Sequence, residues 1–281
     1  MKRIIIVLIT LTTLLSAKMQ VCVSILPQAF FVQKIAGDLV DIEVLVKPGS
    51  SPATYAPKPS QLKLISDSSL YFTIGVDFEQ NWLHRFSSIN DEMKLIDTTK
   101  GIEKISMKND NHEEEEHEGH HHKGLDPHVW LDPILVTSQV NIITDALVKE
   151  DPKNSKIYFQ NRENFIKELN AVDAEIKKIL SNTKDREFIV FHPSFGYFAK
   201  RYGLEQIAIE KEGKEPSVKH IKKVIDFAKE HQIKRVFVAP QFSQKSAKQI
   251  AKLIDGTVTS INPLARKWDE NILNIAKSLV K

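Results

Sequence analysis

The stretch DPKNSKIYFQNRENFIKELNAVDAEIKKIL, residues 151–180, decides the architecture that the sequence predicts. Apolar residues recur along it at helical spacing, at Ile157, Phe165, Ile166, Leu169, Val172, Ile176 and Ile179. Asp151 is a suitable N-cap and Pro152 a suitable first helical residue. A helix of about 28 residues would be about 42 Å long. Such a helix is long enough to run beside two lobes.

Short β-rich runs alternate with helical patterns on both sides of this segment. Before it, the predicted strands are residues 21–26, 42–46, 70–74 and 94–96, and the predicted helices are 28–39, 60–66 and 79–86. After it, the predicted strands are 188–191, 206–209, 235–238 and 258–261, and the predicted helices are 195–202, 218–232, 246–254 and 269–279. This alternation favours parallel sheets covered by helices. We therefore predict an α/β protein of two lobes, each a parallel β-sheet flanked by helices, joined by one long rigid backbone helix.

The predicted parts are an N-terminal lobe over residues 18–150, a connecting helix over 151–181 and a C-terminal lobe over 182–281. Residues 1–17 read as a secretory signal peptide, because two basic residues precede a short apolar run that ends in small residues. We therefore expect an exported, periplasmic protein. No cysteine stands at the end of the apolar run, so we expect no lipid anchor.

The composition indicates a protein with packed cores, no internal disulfide and no charge-driven partner. A hydrophobic fraction of 42% is sufficient for packed cores, and the single cysteine, Cys22, excludes an internal disulfide. The net charge is +3, with both signs mixed along the chain, so neither nucleic acid nor a membrane surface is indicated as a partner.

A segment rich in histidine and glutamate, MKNDNHEEEEHEGHHHKG at residues 107–124, contains almost nothing that could be buried and is predicted to be a mobile loop. Its histidines are His112, His117, His120, His121 and His122. Imidazole and carboxylate groups together suit zinc, and also copper and nickel. Because a flexible loop cannot preset a coordination geometry, we expect it to bind metal with modest affinity.

Two further histidines occupy more constrained positions. His128 lies between Pro127 and Pro133, directly after the loop. His192 follows a buried strand and precedes a predicted helix. Ligands of open α/β sheets bind beyond the carboxyl ends of the strands. Both histidines are therefore candidate metal ligands.

Several motifs in this order resemble the zinc- and manganese-binding proteins of bacterial ABC importers, the ZnuA/TroA type. They are Pro48-Gly49-Ser50-Ser51-Pro52 with Tyr55, Pro57-Lys58-Pro59-Ser60, DPHVWLDP at 126–133, FHPSFGYFAKRYGL at 191–204, Glu212-Gly213-Lys214-Glu215-Pro216-Ser217 and Asn262-Pro263-Leu264. The resemblance implies two lobes, a backbone helix that limits hinge motion, and one metal ion in the cleft between the lobes.

The resemblance also implies four ligands, of which this chain matches two. His128 and His192 stand at family ligand positions, whereas Ala53 replaces a histidine and Asn262 replaces an aspartate. Alanine cannot bind a metal, and the amide oxygen of asparagine is a weak neutral donor. Glu79 matches a family position near the site and is one candidate for completing it.

Other groups could also complete the coordination. They are a histidine of the loop, water, and, as a weaker alternative, Asp269. The remaining histidines, His84, His220 and His231, lie on lysine-rich helical stretches and are predicted to be surface residues.

The leading hypothesis is therefore a monomeric, non-enzymatic binding protein that carries Zn²⁺ to an ABC importer permease. Two alternatives stay open. One is recognition of a metal chelate, or of Mn²⁺ or another divalent metal, at an altered site. The other is a zinc hydrolase that activates water, which the absence of an HExxH run disfavours.

Overall fold

The computed structural model describes residues 18–107, 124–210 and 216–280. The predicted signal peptide and the five loop histidines lie outside the described residues. The described chain contains two four-stranded sheets, and every strand pairs in parallel with its neighbours. This confirms the predicted α/β class with two sheets.

The first sheet has the strand order β2-β1-β3-β4. Its strands are β1 Met19–Val23, β2 Val40–Val44, β3 Leu70–Thr73 and β4 Lys94–Asp97. Its helices are α1 Leu26–Ala36, α2 Pro59–Ser66 and α3 Asp77–Ile89. β3 is buried along its whole length, as expected of a central parallel strand covered on both faces.

The second sheet repeats this arrangement with the order β6-β5-β7-β8. Its strands are β5 Glu187–Val190, β6 Glu205–Ala208, β7 Arg235–Val238 and β8 Thr257–Ser260. Its helices are α6 Gly196–Tyr202, α7 Val218–Glu230, α8 Gln244–Leu253 and α9 Trp268–Val280.

Two helices connect the sheets, α4 Pro133–Glu150 and α5 Ser155–Leu180. α5 has 26 residues, which corresponds to about 39 Å. On the side of the first lobe, Phe165 of α5 packs against Phe30 and Phe31 of α1. On the side of the second lobe, Asp173 of α5 accepts a hydrogen bond of 2.6 Å from Arg201 of α6. The long helix therefore joins the lobes as predicted.

Some predicted boundaries were wrong. The first strand ends at Val23 and α1 begins at Leu26, because the Gln28 side chain accepts hydrogen bonds from the N–H groups of Ser24 and Ile25. A 3₁₀ turn, Pro152–Asn154, precedes α5, so the long helix does not begin at Pro152.

The last helix returns to the first lobe. Trp268, at the start of α9, packs edge-on against Phe31 with ring centroids 5.5 Å apart, and α9 also contacts α5. The last helix of the second lobe thus packs into the core that α1 and α5 share. No described helix combines the length and apolar character needed to cross a membrane.

Candidate metal centre

His128 and His192 lie together in a cleft between the two lobes. The cleft encloses a cavity of about 880 Å³ whose lining includes Ala53 and Glu79 of the first lobe and Phe242 of the second. The ring centroids of the two histidines are 5.6 Å apart. The structure therefore brings together the two histidines that the sequence singled out, although they are distant in the chain.

The local backbone orients His128. This residue immediately precedes a 3₁₀ turn, Val129–Leu131. Asp126 Oδ1 accepts a hydrogen bond of 2.8 Å from the backbone N–H of His128 and lies 2.6 Å from its Nδ1. A carboxylate at Nδ1 holds the proton on that nitrogen, which leaves Nε2 as the nitrogen that can bind a metal.

Close packing holds Asp126 in place. Its side chain is buried, and its backbone carbonyl accepts a hydrogen bond of 2.9 Å from the Tyr197 hydroxyl. A Cβ atom on Gly196 would lie 2.6 Å from Asp126 Oδ2. Since that distance is shorter than real Cβ contacts, a larger residue at position 196 would displace the carboxylate.

Strand order orients His192. His192 and Glu210 each follow, by two residues, the ends of the neighbouring strands β5 and β6. Because these strands are parallel, both side chains emerge at the same sheet edge, where Nδ1 and Oε2 lie 2.7 Å apart. The imidazole also stacks on Phe242 at 4.6 Å. Burial lowers the pKa of His192, an effect that Glu210 opposes, so the ring is neutral at pH 7.

The indole N–H groups of two tryptophans connect the segment that carries His128 to the second lobe through hydrogen bonds. Trp130 Nε1 donates a hydrogen bond of 2.8 Å to the carbonyl of Pro263. Trp268 Nε1 donates one of 2.6 Å to the carbonyl of Trp130. The turn after His128 is therefore attached to the second lobe on two sides.

Glu79 lines the same cavity, but backbone donors occupy its carboxylate. It accepts hydrogen bonds from the Ser24 hydroxyl and from the N–H groups of Ile74, at 3.0 Å, and Gly75, at 2.8 Å. Burial raises its pKa to about 7, even though these bonds lower it. Binding a metal would cost Glu79 one or more of these bonds.

Asn262 is placed differently from the two histidines. Its Oδ1 accepts hydrogen bonds from the Leu264 N–H at 3.0 Å and from Gln241 Nε2 at 3.3 Å, and the residue borders a second cavity. Within residues 18–107, 124–210 and 216–280, no three His, Cys, Asp or Glu side chains are placed to hold one ion together. Glu79 and Asn262 as ligands therefore stay predictions.

The ends of the histidine-rich segment border the cavity. The N–H of Met107 donates a hydrogen bond of 2.7 Å to the carbonyl of Gly124, next to an antiparallel bridge between Ser106 and Leu125. Met107, Gly124 and Leu125 all line the cavity. The chain thus leaves the first lobe and returns to it at the mouth of the cleft.

Sequence reasoning missed both carboxylates that orient the histidines. Asp126 is two residues before His128, and this spacing was visible in the sequence. Glu210 gave no comparable signal, because its role depends on β6 lying beside β5. The other described histidines, His84, His220 and His231, do not line the cavity.

Several known proteins are similar to this chain in sequence. The chain is 31% identical over 224 residues to the high-affinity zinc uptake system protein ZnuA of Bacillus subtilis, covering 76% of this chain and 68% of that protein. It is 28% identical to the zinc-binding lipoprotein AdcA of Streptococcus pneumoniae, covering 76% of this chain but only 44% of AdcA. The chain thus spans less than half the length of that relative.

Solved structures extend the likeness to nearly the whole chain. A crystal structure of ZnuA superposes with a TM-score of 0.87 at 41% identity, covering 94% of this chain and 98% of that one. The manganese complex of the binding protein FpvC from Pseudomonas aeruginosa, 22% identical with a TM-score of 0.77, shares the fold. The family model described as periplasmic zinc-uptake complex component A matches residues 21–279. The chain therefore belongs to the ZnuA family of zinc-uptake components.

Proposed function

We propose that this chain is a periplasmic solute-binding protein that captures one zinc ion between its lobes and releases it to the permease of an ABC importer. The observation that carries the proposal is the pair His128 and His192, with ring centroids 5.6 Å apart and each Nδ1 held by a carboxylate. Neutral imidazoles with carboxylates on the second nitrogen are typical zinc ligands. Relatives named for zinc uptake and zinc binding support zinc as the substrate.

Two imidazoles do not complete a zinc site, which takes three protein ligands when open and four when closed. We assign the next positions to water and to a histidine from the segment 112–122, since Met107 and Gly124, the described residues before and after that segment, line the cavity. Glu79 and Asn262 are the competing donors. Each would first have to give up hydrogen bonds that it makes to the backbone. Such an open site could also accept Mn²⁺ or another divalent metal.

The proposal includes export and a monomeric, non-enzymatic chain with no nucleic-acid partner. Export follows from the predicted signal peptide at residues 1–17. We propose no lipid attachment through cysteine, because Cys22 is fully buried in β1 and lies 3.0 Å from the Ser68 hydroxyl. Burial also raises the pKa of its thiol to about 11, which keeps it protonated.

Metal analysis and titration calorimetry on residues 18–281 test the proposal. We expect one tightly bound zinc ion per chain. Deletion of residues 109–123 removes a proposed donor and should lower zinc affinity by less than the loss of both cleft histidines does, and His128→Ala combined with His192→Ala should abolish tight binding. The matched control combines His84→Ala with His231→Ala, which removes two exposed imidazoles outside the cleft. That control should bind zinc as the unmodified protein does.

Two results would count against the cleft as the zinc site. One is loss of all tight binding on deletion of the loop. The other is full binding by the variant that lacks both cleft histidines. Delivery is tested separately, by zinc-limited growth of cells whose own copy of the gene is replaced by each variant.

A further inference from the structure

The outer layer of the second lobe consists of two adjacent helices, α7 and α8. Their apolar faces cover one side of the second sheet, where Val224 and Ala228 of α7 and Ile250 of α8 join the buried cluster around Val236. No other element of the described chain makes up this layer of the core. Their opposite faces are therefore directed away from the protein.

These outward faces carry an unusual excess of positive charge. The two helices contain seven exposed lysines, Lys219, Lys222, Lys223, Lys229, Lys245, Lys248 and Lys252. Their acidic residues are Asp226 and Glu230, so the two helices carry a net charge of 7 − 2 = +5, and the remainder of the chain carries 3 − 5 = −2. The net charge of +3 for the whole chain does not show that positive charge is concentrated on these two helices.

The lysines of α7 and α8 also differ from lysines elsewhere in the fold. Within the described residues, none of the seven lies within 4.0 Å of a carboxylate oxygen, whereas Lys34 and Lys47 each pair with a glutamate at 2.6 Å. Unpaired ammonium groups on adjacent helices produce a positive potential that neighbouring carboxylates do not cancel.

Each of the two helices also exposes an aliphatic side chain at one end. Val218, at the start of α7, is 85% exposed, and Leu253, at the end of α8, is 54% exposed. These are the two most exposed large hydrophobic residues in the described chain. Lysines combined with exposed aliphatic groups are typical of surfaces that bind at a membrane interface.

We infer that the α7–α8 face binds the anionic headgroups of a lipid bilayer. A lysine makes a flexible point contact that suits a diffuse layer of phosphates, whereas recognition of an individual acidic group on a protein favours the planar fork of arginine, and neither helix contains arginine. Each basic residue near an anionic bilayer strengthens binding about fivefold. The face would keep the protein close to the membrane that holds its permease.

Flotation of residues 18–281 with phosphatidylcholine vesicles, with and without phosphatidylglycerol, tests this inference without zinc. We expect binding only to vesicles that contain phosphatidylglycerol, weakened by added salt. Lys245→Glu, Lys248→Glu and Lys252→Glu together should weaken binding at least about 100-fold. The matched control, Lys156→Glu, Lys167→Glu and Lys178→Glu on α5, has the same net charge and should retain most of the binding, because salt screens distant charges.

Circular dichroism and zinc titration establish that each variant is folded. If the triple glutamate variant fails to fold, the corresponding triple glutamine variant replaces it, and we expect a smaller loss in the same direction. Val218→Ser with Leu253→Ser should reduce the binding that remains at high salt. The inference is overturned if the unmodified protein ignores phosphatidylglycerol, if it binds phosphatidylcholine equally, or if the α5 and α8 variants lose binding to the same extent. An acidic protein partner would give the first of these results.

Discussion

Each of the two cleft histidines has a carboxylate at its Nδ1, but the two carboxylates are positioned in different ways. His128 is oriented by Asp126, two residues earlier in the same turn. His192 is oriented by Glu210, 18 residues later and two residues beyond the end of the neighbouring strand. Local backbone geometry therefore builds one half of the site, and the order of strands in a sheet builds the other.

The two halves of the site, His128 with Asp126 and His192 with Glu210, are therefore sensitive to different substitutions. The His128 half depends on the packing around the Asp126 carboxylate, including the close approach of Gly196. The His192 half depends on the edge of the second sheet and on the stacking of Phe242. Substitutions confined to one half should therefore disturb the orientation of one imidazole and leave the hydrogen bond of the other in place.

The largest expected effect comes from removing either imidazole alone. His128→Ala and His192→Ala should each lower zinc affinity by more than about 100-fold, the upper end of what loss of an outer-shell partner costs. Calorimetric titration measures both, with His231→Ala as the control. A single variant that keeps full affinity would show that its half does not bind the metal.

The two carboxylates should have the next largest effects. Asp126→Asn and Glu210→Gln preserve shape and remove the charge that holds the Nδ1 proton, so each should lower zinc affinity by about 10- to 100-fold. Because the two ring centroids lie 5.6 Å apart and both rings would bind the same zinc ion, the double variant measures how strongly the two carboxylates are coupled. Strong non-additivity would mean that the two halves are coupled through the metal or the cleft.

Gly196→Ala should weaken only the His128 half. The new Cβ would displace the Asp126 carboxylate, so we expect a loss of zinc affinity of about tenfold. The same substitution made together with Asp126→Ala should cause no further loss. Since alanine favours helix more than glycine, a loss of affinity could not be explained by weakening of α6.

Substitution of Glu79 should have the smallest effect on zinc binding. Glu79→Gln should leave zinc affinity nearly unchanged at pH 7, because backbone and hydroxyl donors already occupy the carboxylate. A large loss of affinity would instead identify Glu79 as a ligand.

The same residue should make folding stability depend on pH. Its pKa is about 7 in the folded protein against an ordinary value of 4.5, so between these values the folded state binds the proton more tightly. The stabilisation is complete below about pH 4.5 and is lost as the pH rises through about 7. Urea unfolding of the unmodified protein across this range should show that decline, and Glu79→Gln should reduce it.

Hydrophobic periodicity and chain order were sufficient to predict the two sheets and the connecting helix. The start of α5 was less predictable, because Pro152 suits a 3₁₀ turn as well as an α-helix. The histidines were predictable because their proline-rich and strand-end positions can be read from neighbouring residues.

The limits of prediction are clearest where a residue's role depends on a distant segment. Glu210 contacts His192 only because β6 pairs with β5. Glu79 was a reasonable ligand by position, but the sequence did not reveal the N–H groups of Ile74 and Gly75 that face it. The full basic face forms only because α7 and α8 lie side by side, which adds the three lysines of α8 to the four of α7.

The sequence by itself determined the class of fold, the family and the choice of the two histidines as candidate ligands, because periodicity, turn residues and motifs are properties of short segments. The tertiary structure decided which carboxylate holds each imidazole, how closely Gly196 approaches the Asp126 carboxylate, and where positive charge accumulates. Those features depend on distances of a few ångströms between segments that are remote in the chain. Only the packed sheets and helices set such distances.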